Sequence, residues 1–305
     1  MSIQLRSLPR EEIATYLAAN GLKIQIGLFT LSLRSSIPAI VEHLHNLYGD
    51  FKLINDPDVF IDWYVKIDSP SVLRRFIRPQ IQFSFDGYQP FEALPKDQAC
   101  AMLEWGLNWC IANNSNQFLV IHSAVIEKNG IAIILPGTPG SGKSTLCAAL
   151  VLRGWRLLSD EMALVNVEEG LLYPVSRPIS LKNQSIDIIK DFSPDANFGM
   201  STKDTAKGTV AHMQPPDSSV MNVNIPVFPA KVVFPSYIKG SATKLVPLDK
   251  GKAFMKVAEN CFNYNVLGRV GFNVLTKMID HCDSYCFEYQ YLEEAIHTFE
   301  QLNND

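Results

Sequence analysis

The stretch GTPGSGKS, from Gly137 to Ser144, most constrains what this chain can become. It fits G-x-x-x-x-G-K-[ST], a pattern that works only between a strand and a helix. The flanking text supplies both. "FLVIHSAVIEKNGIAIILPG" reads as two apolar strands joined at Asn129-Gly130, a favoured pair for a tight hairpin. A helix is expected from about Lys143 to Leu152, ended by Gly154. Glycines let backbone N–H groups turn inward toward phosphate oxygens, and the helix points its positive end at them. Lys143 would bring a point charge to the β and γ oxygens, and Ser144 a hydroxyl to Mg²⁺. Gly137, Thr138, Pro139, Gly140, Ser141, Gly142, Lys143, Ser144 and Thr145 are therefore the expected nucleotide contacts, with ATP and Mg²⁺ as the ligands.

A loop of this kind needs a carboxylate at the end of a neighbouring strand. "WRLLSDEMALVNV" is an apolar strand with Asp160 and Glu161 set into it. Acids inside such a run are costly unless a cation meets them. Asp160 is assigned to Mg²⁺ beside Ser144, and Glu161 to an acceptor hydroxyl as general base. Neighbours on a strand face opposite ways, so this division holds unless the backbone turns there. His122 lies in the strand that pairs with the one feeding the loop, which makes it a candidate active-site group; a satisfied core histidine is the other reading.

The rest of the chain is less specific. "VFIDWYVKID" places Val59, Ile61, Trp63, Val65 and Ile67 on one face, and "QIQFSFDG" does the same for Ile81, Phe83 and Phe85 before a turn at Asp86-Gly87. Ahead of them a helix is expected, with Ser36 as its cap and Pro38 in its first turn. Residues 1–95 thus read as a small α+β domain without recognisable chemistry, and residues 96–305 as the nucleotide-binding domain. "KDQACAMLEWGLNWCIANN" is a strong helix in which Trp105 and Trp109 form a core stripe. Later expectations are a strand at "PAKVVFPSY", helices around Lys252–Cys261 and Val270–Ile279, and a last strand at "YCFEYQY" before a closing helix. The polar stretch Asp191–Pro226 reads as a mobile or functional loop. Basic residues near it, Arg177, Lys182, Lys203, Lys207 and His212, are candidates to meet the transferring phosphoryl group. Arg177 and Lys207 are the weak choices for substrate or phosphate contact.

A net charge of −4 argues against a nucleic-acid binder that relies on a dense basic surface. The six cysteines form no metal-type pair and read as free thiols. No apolar run reaches membrane-spanning length and the N-terminus has no signal-like core, so a cytoplasmic protein is expected.

His122, the hairpin, the Gly-rich loop and "RGWRLLSDE" together resemble the C-terminal domain of HPr serine kinase/phosphorylase, over about Phe118 to Val165. "EWGLNWCIA" followed by "TPGSGKSTLCAAL" looks closer still to the HprK-related kinase A family of proteobacteria. The resemblance implies an α/β P-loop kinase fold related to phosphoenolpyruvate carboxykinase, and ATP-dependent transfer to a Ser/Thr hydroxyl of a small protein or peptide. By position it assigns Lys143 and Ser144 to phosphate and metal, Asp160 to the metal, Glu161 to the target serine, and His122 to the active site. It also allows a homo-oligomer, since HPr kinases assemble as hexamers. The second acid here is Glu where the family has Asp, and no Leu-Glu-x-Arg-Gly-like stretch follows, so the reverse phosphorylase reaction is not implied. The residues alone leave two other readings open: a kinase of a small hydroxylated metabolite, and an ATP-binding switch or docking module without turnover.

Overall fold

The computed structural model describes residues 3–304. Among them the chain forms mixed α/β structure around three sheets. The first sheet has seven strands, in the order Ile3–Gln4, Lys52–Leu53, Leu22–Ile26, Phe29–Ser35, Trp63–Asp68, Gln80–Phe85, Leu94–Pro95. Phe29–Ser35 and Trp63–Asp68 run parallel, with helix Pro38–Leu47 in the crossover. Trp63, Val65 and Ile67 are buried on one face as the alternation predicts, but the strand begins at Trp63, so Val59 and Ile61 precede it. Ser36 does not cap the helix: its hydroxyl donates to Asp68 at 2.7 Å, while Ser35 accepts from the Ile37 amide.

The second sheet has eight strands. Its central three, Ile131–Pro136, Pro229–Tyr237 and Asp283–Tyr289, are parallel. Their side chains alternate between two helical layers. Ile133 and Leu135 join the cluster under helices Lys143–Leu152, Gln184–Phe192 and Leu292–Leu302. Ala132 and Ile134 join the opposite cluster, under Lys250–Ala258 and Arg269–His281. Both faces are covered, which is why these strands are apolar throughout rather than alternating. The hairpin turn falls at Asn129-Gly130, both with positive φ as a tight primed turn needs. The six cysteines are free, and no helix among the described residues is long and apolar enough to cross a membrane.

Helix Ala99–Asn114 lies between the two large sheets. One continuous apolar cluster includes Ile81 and Phe83 from the first sheet, Leu103 and Leu107 from this helix, and Val120 and Leu164 from the second sheet. Trp109 packs into an aromatic group with Phe85, Tyr88 and Phe91. Trp105 does not join it; the Lys207 ammonium lies 5.6 Å from its ring centre.

The stretch 191–226 is not a structureless loop. Thr202–Thr205 and Gly208–Met213 form a hairpin that pairs with Ile179–Lys182 in a third sheet, and Asp217–Met221 is helical. Val210, Ala211 and Met213 are fully buried there. Pairing with a strand some thirty residues earlier stabilises a segment whose own composition is loop-like.

Candidate functional site

The Gly-rich loop follows strand Ile131–Pro136 at its C-terminal end, and the helix begins at Lys143. Its first turn has no side-chain cap, so the leading amides face outward from Gly142. Gly142 has φ +85°, and a Cβ there would lie 2.4 Å from the Tyr289 hydroxyl, which donates to the Gly142 carbonyl at 3.0 Å. Gly137 is crowded in a different way: a Cβ there would lie 2.5 Å from the Ser141 hydroxyl, which would have to rotate aside. The Tyr237 amide donates to the Ser141 carbonyl at 3.0 Å. The loop is therefore tied down from the two parallel strands beside it. Thr138, Pro139 and Gly140 are exposed; Ser144 and Thr145 are half-buried at the helix start.

Lys143 is 7% exposed, and its Nζ has no hydrogen-bond partner among the described residues. Burying an ammonium with nothing to accept from it is costly. The Ser141 hydroxyl and Asp160 Oδ1 are buried and unpartnered as well. Three such atoms come from the loop and the acidic pair, and Lys143 brings the one ammonium among the unpartnered buried atoms of the described residues.

The acidic pair sits at a break. Arg156–Ser159 pairs with Val125–Glu127, and Met162–Asn166 with Phe118–His122, so one strand is edged by two. Between them the backbone bends. The Ser159 hydroxyl accepts from the Glu161 and Met162 amides, at 3.3 and 3.1 Å. The single long strand expected across Asp160-Glu161 is thus two strands. The bend also removes the obstacle to both acids working in one place. Asp160 is buried, and its Oδ2 accepts from the Ser180 amide at 3.0 Å. Burial and then the Glu161 charge push its pKa up to about 6, against the pull of Lys143. Burial acts the same way on Glu161, but His122, Lys143 and Lys182 together outweigh it and hold that carboxyl well below the usual range. Glu161 Oε2 lies 3.4 Å from His122 Nε2, and Oε1 lies 4.0 Å from Lys182 Nζ. The His122 ring also packs against Phe262, at 5.6 Å.

Lys207 stands at the turn of the third sheet, its ammonium 5.6 Å from the Trp105 ring centre. It is an exposed residue, but what burial its ammonium has, then the Lys182 charge, lowers its pKa, with Glu161 acting the other way. Lys143, Lys182, Lys207, Asp160, Glu161 and His122 thus form one charged cluster. Arg177 does not belong to it. Its guanidinium donates to Glu104 at 3.0 Å and to Asn108, both on helix Ala99–Asn114. His212 is buried against His43, ring centres 5.7 Å apart, and burial drives its pKa down to about 4.

Glu104 is the residue that the sequence did not reveal. It is buried in a helix of apolar neighbours and accepts from Tyr48 at 2.7 Å and from Arg177, with His43 Nε2 at 2.8 Å. Burial alone would raise its pKa, yet His43 and then Arg177 bring it down to about 2. A Glu between Leu103 and Trp105 was the available signal. A cavity of about 760 Å³ lies elsewhere, lined by Ile37, Pro38, Pro79 and Pro95 among others. It holds none of the charged cluster.

Compared with known proteins, the chain matches no family model, and no curated protein matches it.

Proposed function

We propose that this chain is an ATP-dependent phosphotransferase with an HPr-kinase-like P-loop fold, acting on a Ser or Thr hydroxyl of a small protein or peptide. The observation that carries the reading is the buried Lys143 ammonium without a partner among the described residues, within electrostatic range of the unpartnered Asp160 Oδ1. A triphosphate cupped by the loop would satisfy the first. The second, with the Ser144 hydroxyl, would hold Mg²⁺, which takes one or two carboxylates plus phosphate oxygens. When bound, the metal neutralises charge on the β and γ oxygens.

The protein groups divide the remaining work. Lys143, Lys182 and Lys207 would supply positive charge toward the equatorial oxygens, where charge spreads during transfer. The acceptor oxygen bonds to the γ phosphorus as the bond to the β–γ bridging oxygen breaks, releasing ADP. The hydroxyl proton passes to Glu161. That carboxylate is ionised at neutral pH and held in place by His122. A low pKa makes it a weak base, but a loose transition state draws on the base late. Moreover, the lysine charges that depress it are those the triphosphate would engage.

The test is transfer itself. Protein incubated with [γ-³²P]MgATP and a dephosphorylated lysate is expected to place label on Ser or Thr of a protein or peptide, and Glu161→Gln is expected to lose it. Label confined to small metabolites, or tight ATP binding without transfer, would overturn the reading.

A further inference from the structure

Tyr237 ends the parallel strand next to the phosphate loop, on the side away from the acidic pair. The strand order along this edge is the strand paired with the acid-bearing segments, then the loop strand, then Pro229–Tyr237, then Asp283–Tyr289. Asp160 and Glu161 join two strands that pair with Phe118–Lys128 on the first flank, and His122 and Lys182 lie 3.4 and 4.0 Å from Glu161 there. Tyr237 and Tyr289 are register partners on the other. Ligands of open parallel sheets bind at the carboxyl ends of the strands, and both tyrosines are there.

The two rings differ in use. Tyr289 is buried and its hydroxyl supports Gly142. Tyr237 meets Tyr289 edge-on, ring centres 5.9 Å apart, and remains 47% exposed. Its Cβ would lie 3.0 Å from a Cβ on Gly142, so the ring stands directly beside the loop. Its amide is fixed to the Ser141 carbonyl. An exposed aromatic held by a loop backbone and by a second ring is a rigid stacking surface.

We infer that Tyr237 is the platform for the nucleoside base of the triphosphate. This rests on the phosphate-loop reading above. A triphosphate is one continuous chain: with its γ end at the charged cluster, its base lies at the opposite flank of the loop. Flat π faces stack on aromatic rings with little regard for base identity, so the ligand class is a nucleoside triphosphate rather than a bare polyphosphate.

The test compares two probes, MgATP and inorganic tripolyphosphate with Mg²⁺, by titration calorimetry. Tyr237→Ala is expected to weaken ATP about tenfold, leave tripolyphosphate within about twofold, and be rescued by Tyr237→Phe. Equal losses for both probes would mean the side chain only props the loop, and would overturn the inference. An unchanged ATP affinity in Tyr237→Ala, with both probes still binding, would overturn the base platform alone. Wild-type protein that binds neither probe would overturn the phosphate site and the platform together.

Discussion

The molecule buries two clusters of charge, and they are opposites. Around Glu104, the carboxylate meets His43, Tyr48 and Arg177. Around Lys143, an ammonium, a hydroxyl and a carboxylate oxygen have no protein partner. Each cluster is at least partly buried and mixes both signs, so burial and composition do not distinguish them. The central ionised group does: Glu104 has partners at both oxygens, although Arg177 Nε and His212 Nε2 lack them, whereas the Lys143 ammonium has none among the described residues. A buried network whose central carboxylate is met on every side fixes how its elements meet. Here those elements are helix Pro38–Leu47, helix Ala99–Asn114 and the segment at Arg177. A network left open spends stability on something not yet bound.

That contrast can be broken in several places. The largest effect should be on rate at the open cluster. Glu161→Gln is expected to lower transfer by roughly 10²–10⁴ while ATP affinity, measured by calorimetry, stays within a few-fold. Loss of binding and rate together would move Glu161 out of the chemistry. At the closed cluster the effect should be on folding. Glu104→Gln leaves Arg177 and His43 as buried charges without a counter-ion, and about 3–5 kcal/mol of stability should go. Urea denaturation would show this as a lower midpoint at constant slope. A loss below about 1 kcal/mol would say that the joint is not tight.

The closed cluster also has a pH signature. Burial alone would lower the His43 pKa, but hydrogen bonds with Cys100 and Glu104 prevail and bring it to about 9. A histidine raised in the folded state contributes stability fully below its unfolded value, about 6.5, and loses that contribution as pH rises through 9. Stability should therefore decline between about pH 6.5 and 9, by at most about 3 kcal/mol. His43→Gln should flatten that decline. A wild-type protein with no alkaline decline would contradict the assignment. The smallest effect is at Lys207. Lys207→Ala should reduce transfer about tenfold or less, since one solvent-accessible cation contributes little binding outside the transition state.

What could be read in the sequence follows the same division. The phosphate loop, the helix at Lys143–Leu152 and the turn at Asn129-Gly130 are local chemistry, and each sits where its residues place it. The bend at Asp160-Glu161 was not visible, because it depends on the Ser159 hydroxyl taking two amides in a strand-like run. The third sheet was missed because Gly208–Met213 finds its partner far back, at Ile179–Lys182. Arg177 is drawn away from the acidic pair for a related reason. Its partner Glu104 is 73 residues away and lies in a helix whose pattern otherwise signals only apolar packing. Lys207 lies at the turn of that same hairpin, over the Trp105 ring and within range of the Glu161 charge.

The central claim is that the open cluster is open because a triphosphate belongs in it. Differential scanning calorimetry of wild type and Lys143→Met, with and without MgATP, tests this most directly. Methionine keeps the buried stem and removes the unpaired charge. Without nucleotide, the variant should melt no lower than wild type. Saturating MgATP at about a hundred times Kd should add ~2.7 kcal/mol to wild type, a rise of several degrees, and nothing to the variant. A variant that melts clearly lower on its own, or one that gains as much from MgATP as wild type does, would contradict the account.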